Sequence, residues 1–277
     1  MLTSGAVTLA DPSDYFRMLD RAAESHWWAR SIEFVERRWV QAAMPEPVRA
    51  GQRSWDWLDV GCGTGSRLRL WSDWGCWGKC VGIEPEAGAL AGAANVPGIA
   101  LMVGGAPGLP ELGQRFDFVS ALDVIQHVEP EERELAVAEL VDALRPGGVL
   151  LLRTNAPGRF GRSRTDASLV DLPGLRRSLE LAGLKILRHS RFNAVGGLWE
   201  DASLAARRFV GRSRSGGPMK TGLPQGWQRR PQGHPAAAMV GFAESRILAT
   251  GLVKFPVGHS YLIISRKEGA HDGSANG

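Results

Sequence analysis

The chain predicts an α/β fold with a parallel sheet covered by helices on both faces, and three observations carry that expectation. Short apolar runs alternate with helical periodicities from Trp55 onward. The first run leads into a glycine-rich turn, Gly61-Cys62-Gly63-Thr64-Gly65, and the second ends in a carboxylate, Glu84. Strands and helices that alternate at such intervals build crossover units, whose strands are buried on both sides.

The elements follow in order. Asp14 to Met44 reads as helical, with Phe16, Leu19 and Ala23 in a first piece and Trp27, Trp28, Ile32, Val35 and Trp39 in a second. Pro45 and Pro47 end this region, and Gly51 to Ser54 form a linker. Strands are expected at Trp55 to Gly61, Lys79 to Glu84, Gly98 to Val103, Phe116 to Leu122 and Val149 to Thr154. Helices are expected at Thr64 to Trp74, Glu86 to Ala94 and Pro130 to Leu144. The last of these has proline in its first turn and Glu131, Glu132 and Glu134 near its positive end. Pro146-Gly147-Gly148 is a break. Beyond Asn155, Leu169 to Leu181 and Met239 to Thr250 read as helices, and Leu184 to Phe192 and His259 to Arg266 as strands. The expected division is a single domain. It comprises a helical cap over 1–50, a core over 51–192, an acceptor-side insertion or lid over 193–251, a final strand over 252–268 and a tail over 269–277.

Composition narrows the function. Of 277 residues 44% are hydrophobic and 22% charged, which excludes a mainly disordered chain. No apolar run approaches the roughly 20 residues of a bilayer crossing, and the N-terminus has no secretion-signal pattern. Three cysteines, Cys62, Cys76 and Cys80, make no disulfide framework and no zinc spacing, which suits reduced thiols in a cytoplasmic protein. Net charge is +4, yet the acid-free stretch between Ala202 and Ala243 holds Arg207, Arg208, Arg212, Arg214, Lys220, Arg229 and Arg230. Those seven exceed the whole net charge. They form either a stretch that meets phosphate, another anion or a membrane surface or, preferably, a solvated face.

A glycine-rich turn between strand and helix lets a ligand approach the backbone. A dinucleotide site would want G-x-G-x-x-G, whereas the register here is G-x-G-x-G with Ser66 in the last place. Asp59, at the strand end, would repel a pyrophosphate and suit an amino group. A cofactor with an ammonium and a sulfonium fits better. Glu84 is placed to accept both hydroxyls of a ribose.

DVGCGTG, VGIEP, FDFVSALDVIQHV and LRPGGVLLLRTNAP together resemble the successive motifs of class I S-adenosylmethionine-dependent methyltransferases, in unbroken order from roughly Trp55 to Phe192. The resemblance implies a Rossmann-like seven-stranded sheet of order 3-2-1-4-5-7-6 with an antiparallel last strand, His259 to Arg266 being the candidate. It implies S-adenosyl-L-methionine as cofactor. Asp59, Gly61, Cys62 and Gly63 would flank its methionine part, Glu84 would hold the ribose, and Pro85 would turn the chain beside the adenine. Gly105 and Ala106 would lie at the adenine edge, where the family often has an acid and this chain has none. Leu122 and Asp123 would face the reactive centre. HWWAR and Glu244 with KFPVGHSYLIISRK resemble the flanks of a bacterial branch of the family, although Ile32 stands near where that branch commonly has a further arginine.

The expected reaction is methyl transfer to a small-molecule acceptor in specialised-metabolite or glycoconjugate biosynthesis. RNA or a peptide is the alternative acceptor, and a non-catalytic scaffold the alternative role. An acceptor hydroxyl or ammonium must lose a proton, for which His127 is the candidate base, or else a residue that orders its loop. Tyr15, His26, Trp27, Trp28 and Arg30 form either a lid over the cofactor, an aromatic face favouring a sulfonium, or the apolar side of a cap helix. Trp71, Trp74 and Trp77 read as packing, and Cys62 as a small residue in a tight turn.

Overall fold

The computed structural model describes residues 25–91, 98–156, 170–195, 198 and 235–269. The first helical piece with Tyr15, the acid-free stretch from Arg207 to Arg230 and the tail from 270 lie outside them. Helix α1 (Trp27–Ala43) and the short α2 (Glu46–Arg49) precede β1 (Trp55–Val60). Then come α3 (Ser66–Ser72), β2 (Trp77–Glu84), α4 (Ala87–Ala91), β3 (Ile99–Val103) and β4 (Phe116–Leu122). Two 3₁₀ turns (Ile125–His127 and Pro130–Glu132) lead to α5 (Arg133–Asp142) and β5 (Leu144–Asn155). Helix α6 (Leu172–Leu181), β6 (Leu184–Phe192), α7 (Pro235–Ala249) and β7 (Ser260–Lys267) follow among the described residues.

The seven strands assemble as β3-β2-β1-β4-β5-β7-β6, with β7 antiparallel to both neighbours and the other pairs parallel. This is the expected order. Several element boundaries differ for physical reasons. Pro45 and Pro47 do end α1, but they also open α2, since proline is tolerated in a first helical turn. Pro146-Gly147-Gly148 is a bulge rather than a break. Phe116 pairs with Leu144 and Phe118 with Val149, so three extra residues are extruded within β5. The expected helix over Pro130 to Leu144 starts as a 3₁₀ turn and is α-helical only from Arg133.

Two hydrophobic layers sandwich the sheet. On one face Leu58, Val60, Ile83, Val119, Leu150 and Ile263 pack against α5 and α6. On the other, Trp57, Phe118, Val149, Leu151 and Leu262 pack against α1, α3 and α7. Trp57, Trp71, Trp74 and Trp77 form a continuous pile with ring centroids 4.6–5.4 Å apart, so the spaced tryptophans are core. Three of the pile's four indole hydrogens find acceptors: Trp57 Nε1 bonds Ser120 at 2.7 Å, Trp71 Nε1 bonds Glu33 at 2.8 Å and Trp77 Nε1 bonds the Trp71 carbonyl at 2.6 Å. Trp74 Nε1 has no acceptor among the described residues. The N-terminal strand edge is clamped by charge, because Arg145 reaches both Asp117 and Asp56 across the starts of β4 and β1.

Helix α1 lies against α7 through two specific contacts. Trp39 Nε1 donates to the Leu248 carbonyl at 2.9 Å. Gly241 lies so close to the Trp27 ring that any Cβ there would overlap it. Alanine for an interior helical glycine ordinarily stabilises by about 1 kcal/mol, whereas overpacking costs about 1–3 kcal/mol. Gly241→Ala is therefore expected to lower stability in urea unfolding, and to regain it when combined with Trp27→Ala. A stabilised single variant would refute the packing assignment.

Candidate active site

The C-terminal edges of β1, β2 and β4 bring the glycine loop, Glu84 and Asp123 together. Gly61, Gly63 and Gly65 all have left-handed φ, at 73°, 56° and 72°, which explains the alternation of glycine with other residues. The chain must also pass tightly here: the Gly61 and Cys62 amides both donate to the Ile83 carbonyl, and a side chain on Gly61 would strike Val124 in the turn after β4.

Glu84 is buried, and its Oε2 accepts the Gly63 amide at 2.9 Å while Oε1 accepts the Glu86 amide at 3.1 Å. It thereby fixes the loop. Each carboxylate oxygen keeps a further lone pair for a hydroxyl donor. Gly105 lies 3.7 Å, measured to an ideal Cβ position, from the Pro85 ring, so this expected pair is adjacent, and Ala106 is buried beside it in the α5 and α6 layer. Burial, then the nearby Asp59 and Glu84 charges, push the Cys62 thiol far up, so Cys62 is no thiolate nucleophile.

Asp59 sits within a buried charged cluster that extends well beyond the glycine motif. Its Oδ1 accepts the Ser120 hydroxyl at 2.6 Å, and Ser120 in turn is bonded by Trp57. Around it, Glu36 of α1 is completely buried and pairs with Arg153 of β5 at 2.5 Å and Arg67 of α3 at 3.0 Å. Arg153 also binds Asp123 through Nε at 3.0 Å and Nη2 at 2.7 Å. Burial alone would lower the Arg153 pKa, but Asp123 and Glu36 outweigh it and hold it above the ordinary value. Asp123 has φ 62°, a left-handed conformation rare outside glycine, and the two-pronged arginine holds it there. Burial pushes Asp59 up to about 6, only partly opposed by the Ser120 hydrogen bond and the Arg67 charge, while Glu36 adds to the rise. Among the described residues three carboxylates thus face two guanidiniums, an imbalance that a cationic group would correct.

Sequence reasoning missed Glu36, Arg67, Ser120 and Arg153, although two of them carried a signal. Glu36 falls on the apolar stripe of α1, between Ile32, Val35, Trp39 and Val40, and Arg153 interrupts the buried run of β5. A charge in such a position requires a partner.

The remaining expected residues are scattered. Leu122 is half-buried against the tryptophan layer. His127 is exposed on the 3₁₀ turn that follows Asp123, its amide bonded to the Val124 carbonyl. His26 is buried and caps α1, its Nδ1 accepting the Trp28 amide at 3.2 Å, and burial lowers its pKa. Trp28 offers its face to the Arg153 guanidinium at 5.3 Å, whereas Trp27 packs on α7. Arg30 is exposed and lines a groove with Phe34, Leu70 and Phe242, apart from the glycine loop.

Residues 58–152 match the methyltransferase domain family. No curated protein sequence matches the chain. Among solved structures, the fold is similar to that of a chain in a complex that contains the Haloferax volcanii Trm112 methyltransferase activator. That likeness has a TM-score of 0.55 at 14% identity and covers 94% of this chain and 99% of that one. It is also similar to an S-adenosylmethionine dependent methyltransferase from Mesorhizobium loti, with a TM-score of 0.51 at 15% identity, covering 84% and 98%.

The charged cluster has a measurable consequence. Asp59 has its pKa raised on folding, so its contribution is most favourable below the ordinary value of 3.8 and is lost as pH rises through about 6. Asp59→Asn, which can still accept from Ser120, is expected to stabilise the ligand-free protein at pH 7. The gain is at most about 3 kcal/mol, from a shift of about two units. The gain should shrink towards pH 4. Urea unfolding of both proteins across this range checks it, and a pH-independent difference would refute it.

Proposed function

The chain carries a class I S-adenosylmethionine-dependent methyltransferase domain, and on that premise we propose that it transfers the methyl group to a small-molecule acceptor in a biosynthetic reaction. The observation that carries the cofactor assignment to individual residues is the pairing of the left-handed glycine loop with two buried carboxylates. Asp59, facing a surplus of negative charge, is the partner for the methionine ammonium. Glu84, already fixed by two amides, is the partner for the ribose hydroxyls. Gly61 to Gly63 give the close backbone approach, and Pro85 with Gly105 and Ala106 form the adenine side.

Bound S-adenosylmethionine supplies an activated methyl on a sulfonium, so the protein's task is alignment and exclusion of water. Arg153 performs the first part here by holding Asp123 and the start of the following turn. Where the acceptor must lose a proton, His127 on that turn is the assigned base.

Two measurements test the assignment. Glu84→Ala removes a charged hydrogen bond worth about 1.5–3 kcal/mol, so calorimetry should show cofactor affinity falling roughly ten- to hundredfold in the folded variant. An unchanged affinity removes Glu84 from the site. Cofactor binding should also release protons near pH 6, since an ammonium beside Asp59 lowers its pKa, and release should fade by pH 8. Titrations in buffers of different ionisation enthalpy read this directly, and buffer-independent heats would overturn the role of Asp59. For the acceptor, label transferred from methyl-labelled cofactor into RNA alone, and into none of a metabolite panel, would sink the small-molecule assignment.

A further inference from the structure

We propose that the sheet edge formed by β7 and β6, with α6 and the segment before β7, holds a recognition site for an anionic group on the acceptor, of phosphate or carboxylate chemistry. The proposal rests on the reading of the chain as a methyltransferase and names the chemistry of its acceptor.

The site is built from five side chains: Arg176 on α6, His189 and Arg191 on β6, Lys254 and Tyr261. In the antiparallel register His189 is opposite Ile263 and Arg191 is opposite Tyr261, so these side chains share one face of the sheet. It is the face covered by α6, because Tyr261 and Ile263 pack in the same core as Leu172, Leu175 and Leu179. The His189 and Tyr261 rings are 5.8 Å apart, and Lys254 Nζ lies 3.2 Å from His189 Nε2. An ammonium has only donors, so that nitrogen of His189 must accept, which requires the neutral imidazole.

Among the described residues no carboxylate makes an ion pair with Arg176, His189 or Lys254. Asp171 at the start of α6 is occupied in capping, its Oδ2 accepting the Gly174 amide at 3.1 Å, and Glu180 on the same helix is exposed. Arg176 Nε is buried with no hydrogen-bond partner. Arg191 donates to the Gly258 carbonyl at 3.2 Å, and it is the lack of a carboxylate partner at Arg176, His189 and Lys254 alone that calls for an anion. Burial lowers the His189 pKa, and the Lys254 and Arg176 charges lower it further. The Tyr261 phenol is pushed up to about 12 by burial, which outweighs Arg176 and Arg191, so it stays a donor at neutral pH. Like charges gathered at a half-buried edge repel one another, and an oxyanion satisfies the buried Nε while relieving that repulsion.

Position links the cluster to the reaction. Tyr261 pairs with Thr154 of β5, whose hydroxyl and following amide bond Gln126 in the turn after β4. The cluster therefore sits on the same sheet edge as Asp123 and His127, about two strand spacings, or about 10 Å, from β4. An acceptor with its anionic group over Tyr261 would place its far end towards the cofactor side.

The test uses His189 as the sensor in the full chain labelled at histidine carbons, with the signal assigned through His189→Asn. Its titration is followed by NMR in chloride, inorganic phosphate or acetate at equal ionic strength. A bound anion favours the imidazolium, so the midpoint should rise by about one unit over that in chloride, and the rise should shrink severalfold in Arg176→Gln and in the exposed Lys254→Gln. A response to phosphate alone supports a phosphorylated acceptor, and one to acetate a carboxylate. No response to either beyond chloride, or a rise undiminished in both variants, overturns the site. Cofactor binding by Arg176→Gln, read calorimetrically, should match wild type. Loss of cofactor binding in the wild-type protein would instead sink the methyltransferase reading and leave the anion titration to be judged by itself.

Discussion

The buried chain of charge from Glu36 through Arg153 to Asp123 is the interaction on which the site depends. It joins an N-terminal helix, a central strand and the loop after β4, three parts of the chain far apart in sequence. Breaking one partner of such a pair leaves the other uncompensated in low dielectric, at a cost of about 3–5 kcal/mol. Arg153 itself is well served, with carboxylates at its edges and the Trp28 ring against its face, whereas Arg67 Nη1 and Glu36 Oε2 are buried without a hydrogen bond among the described residues. Consequently α1 is a structural wall of the site, and the orientation of Asp123 is set by the helix as much as by its own strand.

The two ends of the sheet use charge in opposite ways. At the N-terminal end Arg145, Asp56 and Asp117 close a clamp across β1, β4 and β5, and Asp117 Oδ2 also accepts the Asp56 amide at 3.0 Å. Hydrogen bonding and the Arg145 charge offset burial there and hold Asp56 below the usual carboxylate value. At the C-terminal end, among the described residues, the acids outnumber their partners, and Asp59 is held well above that value. One end has been made stable, while the other retains an unmet electrostatic demand. Strained or unbalanced polar groups of this kind are retained where a ligand supplies the missing partner.

Between those ends the packing is ordinary in principle and aromatic in detail. The tryptophan pile fills the space between β1, β2 and α3, and the Trp57 and Trp71 indole hydrogens reach Ser120 and Glu33. Through Ser120 the pile also touches the site, because the hydroxyl that accepts from Trp57 donates to Asp59. Core packing and the position of the Asp59 carboxylate are thus one network.

Much of this was legible in the order of residues. Local periodicity marks strands such as Phe116–Leu122 and Leu184–Phe192 at their observed bounds, because strand formation there follows from apolar runs bounded by turn residues. The glycine alternation was legible too, since positive φ is a demand on single residues. Boundaries governed by pairing were not: the Pro146-Gly147-Gly148 bulge exists only because β4 continues to pair on both sides of it. Nor were the partners of Arg153 and Glu36, which sequence could mark as misplaced charges but not join. The sequence by itself determined which segments fold and where the chain turns through left-handed glycines, because those depend on local conformation and periodicity. Only the tertiary structure decided the charge state of Asp59, the role of α1 and the grouping of Arg176, His189 and Tyr261. Coulombic and desolvation energies depend on distances in space, and these are set only once the sheet has closed.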